Sequence, residues 1–339
     1  MSTQPAKPDA GATTVRLQNI AQSYGQSAAL MAAVEIGLFT AVSKGADTFD
    51  AIAKALDIHP VNAERLAVML CAAGLLERRD GRLVNAADVE RFLVEGQPSY
   101  MGPWITFTKP QWNAWGQLAQ HVRNKNLKLM GSIGSITVED ARRYHNATYS
   151  IGLGAGRRFV RHVDLSGRRR IMDIGGGSGA YCIAAAKAHP QIRGIVLDLP
   201  PVCVVANEFL AANGVADRVV AEACNFTSDP FPRDCDVAIM ASNLPMYGRE
   251  TIAAVIAKTY DALLPGGDMH LIGETTNDDR TGPWGPAYWG LGQAISDSYG
   301  LAHSEADVIG YFKAAGFKDI RVVPFIEGSL SRIVGTKPA

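Results

Sequence analysis

Residues 171–181 read IMDIGGGSGAY. An apolar run reaches Asp173, then come Gly175, Gly176, Gly177 and Gly179, then a second apolar run from Tyr181 to Ala188. That is the pattern of a strand, a glycine-rich turn and the start of a helix. Glycines let a backbone turn tightly and approach a ligand closely. The free N–H groups of the first helical turn point at that ligand. Glycines alone would also suit a bare surface turn, but a second feature follows at the right distance. Residues 193–199 read RGIVLDL, a strand ending in Asp198. An acidic side chain about 20 residues beyond the glycines suits a ribose diol. Together the two features favour a nucleoside site.

At 339 residues the chain has room for two domains, each with its own core. Its hydrophobic content of 47% is that of an ordinary soluble globular protein. Lys+Arg and Asp+Glu balance at 33 each, so bulk charge argues for neither nucleic acid nor an anionic membrane as partner. No apolar run reaches spanning length, and the N-terminus lacks a signal-peptide core. Residues 1–12, rich in Pro, Ala, Gly and polar residues, read as a disordered tail. Five cysteines (Cys71, Cys182, Cys203, Cys224 and Cys235) form no CxxC pair, which fits a reduced, cytoplasmic protein.

Residues 14–42 read as helix, apolar on most faces in the second half, so part of it is expected to meet another subunit. Residues 48–56 and 60–73 then read as helix, turn, helix, followed by a hairpin closed at Asp80-Gly81. This order resembles a winged helix. Its second helix offers only Arg65 as a basic side chain, which favours a structural or dimerisation role over DNA reading. An aromatic stretch at 98–129 includes Trp112 and Trp115, either core or pocket lining. After a glycine-and-serine loop at 131–135, residues 138–163 read as a long helix carrying Arg142, Arg143, Tyr144, His145 and Tyr149. One face of it is expected to look into a cleft.

From Arg170 strands and helices alternate. Strands are expected at 171–174, 194–198, 218–222, 237–241 and 269–273, with an antiparallel pair around Glu327-Gly328-Ser329 at the end. Repeated strand–helix units mean an α/β fold, a mostly parallel seven-stranded sheet covered on both faces. Ligands then bind at the carboxyl ends of the strands. The expected division is a tail (1–12), a helical dimerisation domain (13–150) and a nucleoside-binding domain (151–339).

The segments DIGGGSG, VLDLP and LLPGG, behind an N-terminal winged-helix arrangement, resemble the two-domain S-adenosylmethionine-dependent O-methyltransferases of caffeate and hydroxyindole type. The resemblance covers nearly the whole chain. It implies a Rossmann-like class I methyltransferase domain, a homodimer, S-adenosylmethionine as cofactor with S-adenosylhomocysteine as product, and no metal. By it Gly175 and Gly177 back the methionine part of the cofactor, Asp198 takes the ribose and Leu199 lies near the adenine. Asp173 and Ser242 join this set. Where the family has Gly-Asp-Met-Phe after the third strand, this chain has Ala223, Cys224, Asn225 and Phe226.

After the fourth strand the family carries His-Asp-Trp, whose His deprotonates the substrate hydroxyl. Counting on from Asp236 without a gap puts Pro245 at the His, Met246 at the Asp and Tyr247 at the Trp. Glu274 matches the Glu that orients that His, and Ala302 falls at the later Glu. Proline cannot abstract a proton, and no His lies between His189 and His270. A neutral hydroxyl needs a base near pH 7. A thioether sulfur needs none, and proximity and orientation can carry its methylation. A carbon nucleophile, with Tyr247 acting on it, is a second solution. An O-methyltransferase of a larger aromatic metabolite and a relative that binds the cofactor without methylating are the others.

The balance of residues is similar to that of the bacterial methylthiohydroxybutyrate S-methyltransferases of dimethylsulfoniopropionate synthesis. Under that resemblance Arg142 or Arg143, with His145, holds the carboxylate or 2-hydroxyl of a small substrate. Tyr144 joins them as a substrate-binding candidate, and Trp112, Tyr149, Tyr247 and Trp289 are candidates to surround the forming sulfonium, since aromatic faces attract cations.

Overall fold

The computed structural model describes residues 13–129 and 136–339. The expected tail and the expected loop at 131–135 lie outside the described residues. The chain divides into two compact units, Met1–Lys109 and Pro110–Ala339.

In the first unit the stretch expected as one helix from residue 14 to 42 is three: Val15–Gln22, Tyr24–Glu35 and Leu38–Ser43. Gly37 at φ +71° ends the second of them. A left-handed residue at that point stops a helix, and glycine adopts it without a Cβ clash. Thr48 caps Phe49–Leu56 through the Ala51 N–H, and Pro60–Ala72 starts on a proline. The strands Leu76–Arg79 and Arg82–Asn85 pair antiparallel. Asp80 and Gly81 both take positive φ, as a two-residue hairpin turn with strand-like twist requires. Leu38, Phe39, Ile52, Leu70, Leu76 and Leu83 form the core of this unit.

The second unit is built on a seven-stranded sheet. Its strands are β1 (Arg170–Ile174), β2 (Arg193–Asp198), β3 (Val219–Ala223), β4 (Val237–Ala241), β5 (Asp268–Gly273), β6 (Lys318–Ile326) and β7 (Leu330–Thr336). Their order is β6-β7-β5-β4-β1-β2-β3. The first five run parallel, and β7 lies antiparallel between β5 and β6. The strands of this C-terminal pair have the expected sense; β6, the earlier in sequence, is the outer one.

Five helices flank the sheet, α1 (Val138–His162), α2 (Ala180–Ala188), α3 (Pro200–Ala212), α4 (Arg249–Ala262) and α6 (Glu305–Ala315), while α5 (Trp284–Gly292) packs on the turn at Leu244–Met246. Thr137 with Asp140, and Ser304 with Asp307, form reciprocal caps at the starts of α1 and α6. Phe159, Ile183 and Leu210 from α1, α2 and α3 fill one face of the sheet. Ile252, Ile256 and Phe312 from α4 and α6 fill the other. The helix α1 belongs wholly to this unit, so the expected boundary at residue 150 falls inside it. Because β2 and β3 lie on one side of β1 and β4 and β5 on the other, a crevice opens at the carboxyl ends of β1 and β4.

Candidate active site

The crevice begins where β1 runs out. Gly175, Gly177 and Gly179 take φ of +62°, +56° and +72°, and the Gly175 N–H donates to the Leu197 carbonyl at 2.8 Å. The turn is walled by side chains from other elements. A Cβ on Gly175 would stand 2.8 Å from Asn243 Nδ2 and 3.0 Å from Phe226 Cε1. Beside it, Asp198 closes β2. Its Oδ2 accepts from the Gly177 N–H at 2.9 Å and its Oδ1 from the Leu199 N–H at 2.8 Å. Each oxygen keeps acceptor capacity for a diol. Burial raises the Asp198 pKa, against the pull of those two N–H groups.

Two further acids lie close by. Asp173 on β1 is 1% exposed, and the Cys182 thiol and amide face its oxygens outside ordinary hydrogen-bond geometry. Burial, then the Asp198 charge, push its pKa up to about 7, although the facing Cys182 thiol and amide work the other way. Glu274 follows β5, with Oε2 buried and unpartnered, and burial pushes its pKa up to about 7. Tyr181, at the start of α2, feels both: burial first, then Asp173 and Glu274, raise its pKa. A narrow glycine cradle, a diol acceptor and unpaired buried carboxylates fit a nucleoside that carries positive charge.

Of the α1 residues, His145 packs on the cradle. It is 8% exposed, and a Cβ on Gly177 would stand 2.5 Å from its Cε1. Burial lowers its pKa to about 4, so the ring is neutral near pH 7. Tyr144 meets it edge-on at 5.0 Å. The Tyr144 residue is 46% exposed, but its phenol is desolvated. That, with the charges of Glu274 and Asp198, raises its pKa. Arg142 and Arg143 are placed differently from the expectation that one holds a substrate carboxylate. Arg142 spans to Glu208 on α3 at 2.6 Å and to Glu139 at 3.2 Å, while Arg143 pairs with Asp140 on the helix surface. Tyr149 turns to α3 as well, stacking on Phe209 at 4.4 Å and accepting from Asn213 Nδ2 at 2.7 Å. Trp112 is 40% exposed at the start of a short helix. Trp289 meets Tyr288 edge-on, and Tyr288 stacks between Trp115 and Trp284.

The loops after β3 and β4 complete the crevice. The Cys224 N–H donates to the Asp198 carbonyl at 2.8 Å, and Phe226 is buried beside Gly175. Asn225 spends its Oδ1 on a local turn with Thr227. Ser242 is exposed at φ +58°, its N–H held by the Ile272 carbonyl. Leu244–Met246 form one turn of 3-10 helix with Pro245 buried. The Tyr247 ring meets Phe226 edge-on at 5.1 Å, and burial, then the Asp198 charge, push its phenol up to about 12.

Three residues of this site escape a reading of the sequence. Asn243 Nδ2 reaches the carbonyls of Ala241, Gly175 and Ile174 at 3.1, 3.2 and 3.3 Å, tying the end of β4 to the glycine turn. Tyr181 feels the charges of two acids, and His303 bonds the Tyr247 carbonyl. Only the place of Asn243, just past the fourth strand of a doubly wound sheet, could have pointed to it. Among the described residues no three His, Cys, Asp or Glu side chains converge as metal ligands do, and no helix is long and apolar enough to cross a membrane.

The family described as "O-methyltransferase domain" matches residues 131–318, and that described as "O-methyltransferase dimerisation domain" matches residues 18–96. The 3-hydroxy-5-methyl-1-naphthoate 3-O-methyltransferase of Streptomyces sahachiroi is 31% identical, over 94% of this chain and 93% of its own. The N,N-dimethyltransferase OxyT of Streptomyces rimosus is 30% identical over 79% of this chain and 80% of its own. Among solved structures, PigF with SAH superposes with a TM-score of 0.80 at 25% identity, covering 96% of this chain and all of that one.

Proposed function

Since the chain belongs to the O-methyltransferase family, whose cofactor is S-adenosylmethionine, we propose that it methylates the thioether sulfur of a small carboxylate, with 4-methylthio-2-hydroxybutyrate the first candidate. What supports this reading is Pro245, buried in the turn after β4, at the position where an ungapped count from Asp236 puts the family's base. Two of the groups around it, Tyr247 and His145, do not replace that base. Tyr247, with its pKa near 12, stays a neutral phenol at pH 7, and His145, with its pKa near 4, binds a proton too weakly. A thioether has no proton to lose, so such a site need only hold and orient it.

Bound S-adenosylmethionine supplies an electrophilic methyl group and departs as S-adenosylhomocysteine. The chain's own part is to bind, orient and dry the site. Asp198 offers its remaining lone pairs to the ribose, and the glycine turn admits the methionine portion against bare backbone. Asp173 and Glu274, with pKa values raised to about 7, would ionise beside a positively charged cofactor and supply the negative charge it needs. In this reading Phe226, Tyr247 and His145 exclude water, and their rings are offered to a sulfonium. The proposal includes a homodimer through the dimerisation-domain residues 18–96 and a cytoplasmic location, the latter supported by five free cysteines.

A second reading is favoured by Glu274. A buried carboxylate with an unpartnered oxygen and a pKa near 7 is suited to act as a base, which would permit methylation of a hydroxyl, as the name of the naphthoate relative records for that enzyme.

The test is turnover of the purified protein with S-adenosylmethionine, read as S-adenosylhomocysteine release. The acceptors are 4-methylthio-2-hydroxybutyrate, methionine, methylmercaptopropionate and a catechol, each from about pH 5.5 to 9. Turnover on thioethers without a basic limb supports the sulfur reading. Turnover on the catechol alone overturns it and points to Glu274.

A further inference from the structure

The turn that carries Pro245 and Tyr247 is braced from behind by a stretch of chain that the proposed reaction does not use. Gly300 lies so close that a Cβ on it would stand 2.4 Å from the Pro245 carbonyl oxygen and 2.8 Å from the Met246 carbonyl carbon. A Cβ on Gly248 would be 3.4 Å from the Tyr299 carbonyl oxygen. From β5, Gly273 admits Leu244 in the same way, at 3.0 Å. Glycines on both sides thus let two backbones meet at the turn.

One buried polar side chain locks this contact. His303 is 0% exposed, with Nε2 2.9 Å from the Tyr247 carbonyl oxygen and Nδ1 3.2 Å from the Tyr311 hydroxyl on α6. A carbonyl has no proton to give, so Nε2 carries the hydrogen and donates it. Burial lowers the His303 pKa, so the ring is neutral near pH 7; Nδ1 is then an acceptor, and the Tyr311 hydroxyl donates to it. The chain of donors runs Tyr311 to His303 to the backbone of Tyr247. It selects one tautomer and fills both ring nitrogens. A His buried for packing alone would not need this order.

We propose that His303 is a positioning residue of the acceptor site. It fixes the backbone of residues 245–247 against residues 298–304, and so places the Tyr247 ring against Phe226, which itself lies beside Gly175. The proposal rests on reading the Tyr247 ring as a wall of the acceptor site. It concerns acceptor placement and leaves cofactor affinity to Asp198 and the glycine turn.

The experiment compares His303→Leu, His303→Gln and Tyr311→Phe in the full chain by three readouts: amide hydrogen exchange, S-adenosylhomocysteine binding by calorimetry, and turnover of 4-methylthio-2-hydroxybutyrate. A glutamine amide reaches about as far as Nε2 and can still donate, so it is the rescuing variant. His303→Leu should speed exchange in residues 242–248 about tenfold, the loss expected for one buried hydrogen bond. Exchange in residues 175–180 and the S-adenosylhomocysteine Kd should stay within about twofold of wild type. His303→Gln should lie near wild type. Tyr311→Phe, which frees the ring to change tautomer, should raise exchange at 242–248 about threefold. Turnover should fall in the same rank order, in kcat more than in cofactor KM. Unchanged exchange at 242–248 in His303→Leu, equal damage from Leu and Gln, or a parallel loss of S-adenosylhomocysteine binding would each overturn the proposal. If the leucine variant does not fold, the contrast between His303→Gln and Tyr311→Phe decides in the same way. If wild type turns over no thioether while exchange follows this order, the sulfur reading fails and the role of His303 stands.

Discussion

The His145 ring lies against Gly177, so that a Cβ on the glycine would stand 2.5 Å from His145 Cε1 and 3.0 Å from Nδ1. Gly177 also holds φ at +56°. Two separate costs therefore oppose Gly177→Ala: a left-handed alanine, at about 1–2 kcal/mol, and displacement of a buried imidazole. The substitution should weaken S-adenosylhomocysteine binding by at least about tenfold, the equivalent of 1.4 kcal/mol. Removing the ring as well separates the two costs. Gly177→Ala with His145→Ala should recover part of the loss in a calorimetric titration. A double variant no better than the single would show that backbone strain alone excludes the side chain.

Asn243 does for the other wall what His145 does for this one. Its amide spans carbonyls at the ends of both β1 and β4, the two strands that bound the crevice. Asn243→Asp replaces the donor with an acceptor facing three acceptors. Each buried polar group left unpaired costs about 1–3 kcal/mol. Urea unfolding should show a loss in that range, and S-adenosylhomocysteine affinity should fall with it. A variant with wild-type stability and affinity would mean that the glycine turn holds its shape without the amide.

The parts of this protein that could be read from the chain are those written in local patterns. The glycine turn, the acid 21 positions after Gly177 at Asp198 and the Asp80-Gly81 hairpin all depend on residues a few positions apart or on a motif of fixed spacing. Asn243 and His303 act across 68 and 56 residues of sequence, and nothing near either one announces its partner. The same distance hid the fate of Arg142, whose partner Glu208 is 66 residues away on α3. Helical periodicity says which residues share a face, but not what that face meets. In the N-terminal stretch the hydrophobic pattern ran on through Gly37, so a break set by one backbone angle was missed.

Because Arg142 and Arg143 are already paired, their removal gives a direct test of substrate recognition. Arg142 keeps 36% of its side-chain surface, and Arg143 keeps 71%. Exposed ion pairs contribute about 0–1 kcal/mol. Arg142→Ala and Arg143→Ala should each leave turnover within about threefold of wild type and lower stability by less than about 1 kcal/mol. A rise of tenfold or more in the acceptor KM, with cofactor binding unchanged, would show that the guanidinium leaves its partner to hold a substrate carboxylate.

Glu274 ties stability to pH in a direction opposite to most carboxylates. Its pKa is raised from 4.5 to about 7, so the native state binds a proton more tightly than the unfolded chain does. The stability that this group contributes is full below about pH 4.5 and is lost as pH rises through about 7. Asp173, raised from 3.8 to about 7, acts in the same sense. The cofactor-free protein should therefore lose stability between about pH 5 and 8, by up to about 3 kcal/mol for Glu274 at 1.36 kcal/mol per unit. Glu274→Gln, which cannot ionise, should flatten that slope in urea titrations at successive pH values. An unchanged slope would mean that Glu274 is already ionised and solvated in the native state. The same variant separates the two chemical readings. If the acceptor is a thioether, Glu274→Gln keeps turnover and shows no new pH dependence. If Glu274 draws a proton from a hydroxyl, wild-type kcat climbs with pH through about 7 and the glutamine variant loses both the limb and the reaction.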